Sequence, residues 1–316
     1  MNRLTEVLLS SVALIGLATS AQANPQDTWR AAISQTPLPG TGCYAAHYPS
    51  LTWKQVACVA APHVPLIPAT GSGNAATVGN GHDYQAVVTP AFISTATGSF
   101  TKAKTKTETG DGESNAYTIQ LNSNFMSGSP ACAGAKDPPD CLDWEQFVYF
   151  ANPYNEVFIQ YWLINYDTTC PSGWLSDGGD CYTNSNATGV PLQAITDLKY
   201  LTLTGTAVAG GDDTLKFMTE SDAYSVTNND DMVYLADYWQ GNEFNVVGPG
   251  GGSEADFSSG TRITVNIAAT DGTTTAPDCV ANDGTTGETN NLNLKGKCKT
   301  AGGSTPSVSF KESLAK

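Results

Sequence analysis

The chain has 316 residues, with 15 Lys and Arg set against 30 Asp and Glu for a formal net charge of −15. That balance argues against nucleic acid and anionic membrane surfaces as partners, since both would repel so acidic a protein. The length suits one large all-β domain or two smaller ones.

The chain opens with an apolar run from Val7 to about Thr19, followed by Ala21-Gln22-Ala23. This pattern predicts a secretory signal peptide over 1–23, cleaved to leave Asn24 first. The run is shorter than the roughly 20 residues that span a bilayer. The mature protein is therefore expected to be secreted, extracellular or periplasmic, a monomer, with no membrane partner once the signal is removed. Cleavage takes one basic and one acidic residue, Arg3 and Glu6, so the charge balance is unchanged.

Residues 24–78 contain "GCYAAHYPSLTWKQVAC" and then the Pro- and Gly-rich stretch 63–81, which reads as a linker or processed joint. They are expected to form a disulfide-tied N-terminal segment and a possible propeptide. Residues 79–272 carry short β-branched and aromatic runs at 84–100, 114–122, 144–151, 156–166, 199–210, 213–219, 243–248 and 261–269. Turn signals such as "NPYN" (152–155) and "GGDD" (210–213) lie between them, and no segment shows a long helical period. The predicted fold is all-β, an antiparallel β-sandwich of jelly-roll type. Within it "KAKTKT" (102–107) reads as an edge strand guarded by charge. Residues 273–316 read as a loop-rich, disulfide-tied appendage ending in one short strand, 306–313.

Eight cysteines fall into four sequential neighbours, Cys43 with Cys58, Cys132 with Cys141, Cys170 with Cys181, and Cys279 with Cys298. Eight allow about 105 connectivities, but each neighbouring pair brackets a turn-rich loop, so local bridges are predicted, formed in an oxidising compartment. None has the spacing of a structural zinc site.

The sequence holds no phosphate-binding glycine loop, zinc-protease histidine pair or serine elbow. Its three histidines, His47, His63 and His82, precede the strand-rich region among turn residues, which favours structural or exposed roles. The Asp and Asn clusters at 176–181, 210–213 and 228–231 suit calcium, but they are also the residues hairpin turns use, and none reproduces the twelve-residue calcium loop. No metal is expected. The aromatics near Trp144, Trp162 and Trp239 either line a ligand-binding face or fill the sandwich. Polar residues inside strands remain. Alternation in "WEQFVYF" puts Gln146 on one face with Trp144 and Val148, and Glu145 on the other. Gln160 in "FIQYW" and Glu243 in "GNEFNVVG" raise the same question of why a polar group sits in such a strand.

The order of these segments over about 82–268 resembles the glutamic peptidases of the fungal eqolisin type. "HDYQAVVTPAFISTATGSF" is similar to that family's opening strand pair, "NAYTIQLN" to its next strand, and "WEQFVYF" to the strand bearing its catalytic glutamine. "VFIQYWLINY" resembles the aromatic strand that follows, and "GNEFNVVGPGGGSEADFSSGTRITVNI" the segment with the catalytic glutamate. The chain departs from the pattern in lacking the Trp-Val-Gly-Ile-Asp-Gly stretch and in carrying Phe244 where tryptophan is usual. The resemblance implies a concanavalin-like sandwich and an acid-acting endopeptidase that needs no cofactor. It makes Gln146 and Glu243 the catalytic pair and a polypeptide the substrate. Trp144, Gln160, Trp162 and Trp239 are then expected at the substrate. The competing expectation is a non-catalytic jelly-roll module that binds carbohydrate or peptide on the same face.

Overall fold

The computed structural model describes residues 24–71 and 77–315, so the leader expected over 1–23 lies outside the described residues. The chain folds as an antiparallel β-sandwich of two large sheets. The principal strands are β1 (Cys43–His47), β2 (Tyr84–Val87), β3 (Thr95–Lys104), β4 (Thr118–Ser123), β5 (Leu142–Phe150), β6 (Glu156–Ile164), β7 (Asp180–Asn184), β8 (Thr202–Thr206), β9 (Asp212–Met218), β10 (Asp222–Asn229), β11 (Gly241–Val247), β12 (Arg262–Thr270), β13 (Asp278–Ala281), β14 (Thr289–Ala301) and β15 (Ser307–Ser313). The back sheet runs β1-β10-β9-β8-β3-β12-β15-β14, and the front sheet runs β7-β6-β5-β4-β11-β2-β13. Among the described residues no helix is long and apolar enough to cross a membrane.

Period-two alternation decides which side chains meet between the sheets. Phe147 and Tyr149 of β5, Phe244 of β11, Phe217 of β9 and Phe100 of β3 are buried there. Tyr149 stacks on Phe217 at 4.3 Å between ring centroids, and Phe100 meets Phe244 at 4.9 Å. Two glycines of the back sheet make room for two front-sheet phenylalanine rings. A β-carbon at Gly98 would lie 2.0 Å from Phe244, and one at Gly205 2.3 Å from Phe147. These notches fix the register of β5 and β11, because a one-residue slip would drive each ring out of the core.

All four disulfides join the neighbouring cysteines as the sequence reading has them. The domain limits differ. β1 pairs along its length with β10, and β15 lies between β12 and β14 inside the back sheet. The two ends of the chain are thus parts of the sandwich, and no boundary falls at 78 or 272. Their turn-rich sequences hid this, since strands completing a sheet need few apolar residues when their neighbours supply the core. Residues 61–69, of which 63–69 belong to the expected linker over 63–81, pack against the outer face of the front sheet, with Leu66 fully buried.

One helix was not expected, α1 (Pro25–Gln35), capped by the Asn24 side chain accepting from Gln26 N and started by proline. Only Trp29 and Ile33, one turn apart, are buried on it, too few to give a visible helical period. The lysine-bearing strand also differs from expectation, since β3 runs mid-sheet between β8 and β12. Its pairing with β8 ends at Ser99, however, so Lys102 and Lys104 sit where only β12 is paired.

Candidate active site

The register of the front sheet places five polar side chains in one row across five adjacent strands. Asn184 of β7 is opposite Gln160 of β6, Gln160 opposite Gln146 of β5, Gln146 opposite Asn122 of β4, and Asn122 opposite Glu243 of β11. Directly paired residues point to the same face, so Gln146 and Glu243 share the outer face, away from the core between the sheets. Trp144 and Trp162, paired with each other, lie one step along that face, and Val148 one step the other way. With strands about 4.8 Å apart, the Gln146 and Glu243 backbones are roughly 10 Å apart, with Asn122 between them.

Hydrogen bonds join the row. Trp162 donates from Nε1 to Gln146 Oε1 (3.2 Å) and to Gln160 Oε1 (3.0 Å). With its oxygen so engaged, Gln146 turns Nε2 inward along the row, where it donates to Gln120 Oε1 at 3.3 Å. Gln120 Oε1 also accepts from Asn122 Nδ2 at 3.2 Å, and Asn122 Nδ2 reaches Glu243 Oε2 at 3.4 Å. Buried amides in a dry face need partners, and here they find them chiefly in one another.

Glu243 ends the row. Its Oε2 accepts from Thr285 N at 2.7 Å and Thr286 N at 3.0 Å, and lies 3.2 Å from Thr285 Oγ1. Two backbone N–H groups are thus aimed at one carboxylate oxygen, in the manner of a small nest. Oε1 faces Asp83 and Gly284. Burial, then the charge of Glu243 and a hydrogen bond to it, push the Asp83 carboxyl well above the usual range. The two acids therefore stand against each other at the end of the row. Gly284 touches both, and a β-carbon there would lie 2.7 Å from Glu243 Oε1 and 2.9 Å from Asp83 Cβ.

Two segments close the face, so Gln146 and Glu243 are fully buried rather than open to solvent. Residues 282–288 bring Thr285, Thr286 and Glu288; Thr286 Oγ1 is 2.7 Å from both Gln120 Oε1 and Glu288 Oε2. Residues 61–69 form a strap over Gln160 and the two tryptophans, with Ile67 packed against Trp144, Trp162 and Tyr182. Beside the Glu243 end is a cavity of ≈ 620 Å³ lined by Thr70, Gly81, Gln85, Phe125, Gly284 and Thr285, among others.

The structure thus brings together Gln146, Glu243, Trp144, Gln160 and Trp162. Trp239 does not belong with them. It lies in the core between the sheets, 5.9 Å from Phe147, and its indole N–H goes to the Gly241 carbonyl, so it cannot meet a substrate on the outer face. Residues that sequence reasoning missed are Gln120, Asn122, Asp83, Thr285, Thr286 and Glu288. Gln120 and Asn122 carry the same signal as Gln146, polar residues two apart in an apolar strand, whereas nothing in the local sequence marks the loop threonines. No family model, curated protein or solved structure matches the chain.

Proposed function

We propose that the protein is an exported, acid-acting endopeptidase of the glutamic type whose site is covered by residues 61–69 and 282–288. The observation that carries this reading is the single row that sets Gln146 and Glu243 on one face of one sheet, outside the core and tied through Asn122 and Gln120. Glu243 takes a proton from a water whose oxygen attacks the peptide carbonyl, then passes that proton to the leaving nitrogen as the C–N bond breaks. Gln146 Nε2, with one of its two N–H groups used by Gln120, donates the other to the developing oxyanion.

Acid operation agrees with how the other acids are kept. The ion pairs among the described residues are Arg30–Asp27 and His47–Asp222, and neither includes a buried acid. Buried carboxyls such as Glu108, pushed up to about 8, and Glu312, pushed up to about 7, are instead raised chiefly by desolvation. Four disulfides fit an exported chain.

The test is cleavage of an unfolded protein substrate across acid pH by wild type, Glu243→Gln and Gln146→Ala. Cleavage by wild type that both substitutions abolish is expected. Equal cleavage by wild type and Glu243→Gln would end the assignment. Absence of cleavage in wild type and in strap-loosened variants alike would favour the peptide-binding module.

A further inference from the structure

We propose that the outer face of the front sheet is a groove for an extended peptide. It reads one apolar side chain in a pocket made by Val148, Phe150, Phe158 and Ala187, and the chain's own residues 63–69, His-Val-Pro-Leu-Ile-Pro-Ala, occupy it as a built-in competitor. The inference deepens the peptidase reading by naming the substrate class, and rests on that reading for the cleavage step alone.

The strap is held as a ligand is held. Gln160 grips its main chain at two points, donating from Nε2 to the Val64 carbonyl (3.0 Å) and accepting at Oε1 from Leu66 N (2.8 Å). That clamp on residues i and i+2 is what a neighbouring strand's backbone would supply, and it is indifferent to side chains. Ile67 N goes to Glu288 Oε1 at 3.0 Å, its carbonyl accepts from Gly287 N at 2.7 Å, and Ala69 N goes to the Thr285 carbonyl at 2.8 Å. Every N–H that the strap offers from Leu66 to Ala69 is thus taken, that of Leu66 by the sheet and those of Ile67 and Ala69 by the 282–288 segment that walls the groove, the remaining residue being Pro68. Specificity then falls to the side chains. Leu66 is fully buried in its apolar pocket, where an acidic residue would lose its hydration without a partner.

The groove also extends past its occupant. A cavity of ≈ 480 Å³ adjoins Val64 and Pro65, lined in part by Phe150, Tyr154 and Pro249. The ≈ 620 Å³ cavity adjoins Ala69 and Thr70 at the other end. A peptide longer than the strap has room at both ends. Between the two cavities the strap passes over Gln160, the cross-strand partner of Gln146, so a bound peptide in its place runs along the proposed oxyanion donor.

The experiment uses the full chain as wild type, Leu66→Asp and the milder Leu66→Ala, each checked for a native near-ultraviolet circular dichroism spectrum. The probe is a fluorescein-labelled synthetic peptide of residues 63–70, with a control in which aspartate replaces its leucine. Anisotropy follows binding, and proteolysis of an unfolded protein is read in parallel at acid pH. Wild type, its groove filled, is expected to bind the peptide weakly. A natively folded Leu66 variant is expected to bind it at least about tenfold more tightly than the control, the cost of burying an unpaired carboxylate. The same variant should cut protein faster than wild type and be inhibited by added peptide. If no natively folded variant prefers the leucine peptide over the control, the groove assignment is overturned. Selective binding without cleavage in any variant upholds the groove and overturns the peptidase reading. Cleavage that the peptide does not inhibit does the reverse.

Discussion

Glu243 and Glu145 lie on the same sheet, equally buried, and meet their surroundings in opposite ways. Glu243, on the outer face, has one oxygen surrounded by N–H and O–H donors. Glu145, next in sequence to Gln146, points inward, and among the described residues neither of its oxygens has a hydrogen-bond donor other than a neighbouring acid. It meets Asp213 and Asp230, from the "GGDD" and "NNDD" turns, with the Tyr161 hydroxyl nearby. Burial and then those neighbours push Glu145 well above the ordinary range, and burial and then Asp230 push Asp213 up to about 9. The carboxyl on the outer face is furnished with donors. A carboxyl that only joins two sheets is left to keep its proton.

The largest effect that can break this contrast is on activity. Glu243→Gln should lower acid proteolysis by roughly 10³-fold, the range of a lost general base, with little change in melting temperature, while Glu145→Gln should leave turnover close to wild type. Equal losses from both substitutions, measured as kcat/KM on one peptide substrate, would erase the distinction.

Next comes the dependence of stability on pH. The acids with raised values include Glu108 at about 8, Asp213 at about 9, and Asp143, Glu156 and Glu312 at about 7. For each, the folded state holds its proton more tightly than the unfolded chain. Stability is therefore full below about pH 4 and is lost as pH rises through about 7 to 9. Melting followed by calorimetry should show a fall on the order of 10 °C from pH 4 to pH 8, at a few degrees per kcal/mol for a domain this size. Glu145→Gln should flatten the curve, since an amide has no charge to bury. A melting temperature that rises toward neutral pH would contradict the protonated state of the inner acids.

Gly284→Ala tests the crowding around Glu243. The added carbon must displace the glutamate or Asp83, at a cost of about 1–3 kcal/mol by overpacking, and turnover should fall further than stability. The smallest effect is expected from Asn122→Ala, which removes the link between Gln120 and Glu243. About 1 kcal/mol is a typical net loss for such a hydrogen bond, and chemical denaturation at acid pH would measure it.

The sequence showed the strands, the disulfides and the anomalous residues Gln146, Gln160 and Glu243, because strand periodicity and local cysteine loops are written in short windows. It could also have shown Gln120 and Asn122 by the same alternation. What lay beyond it was the outer face's cover. A strap rich in proline and glycine reads as a linker until its hydrogen bonds to Gln160 and Glu288 are seen. Trp239 was misplaced for a related reason, since an aromatic beside a candidate site and an aromatic filling the core have the same local sequence. The acid cluster of Glu145, Asp213 and Asp230 came from three distant segments whose carboxyls, taken singly, look like turn and strand residues.

Gln146 and Glu243 are each followed by a phenylalanine, and each of those rings enters a glycine notch in the back sheet. The outer polar row and the core are thereby tied together at two adjacent pairs of positions. A chain that carries Gln-Phe and Glu-Phe but has larger residues at the places of Gly98 and Gly205 cannot seat both rings. A search for kin is therefore better begun from this four-point fingerprint than from the polar pair alone.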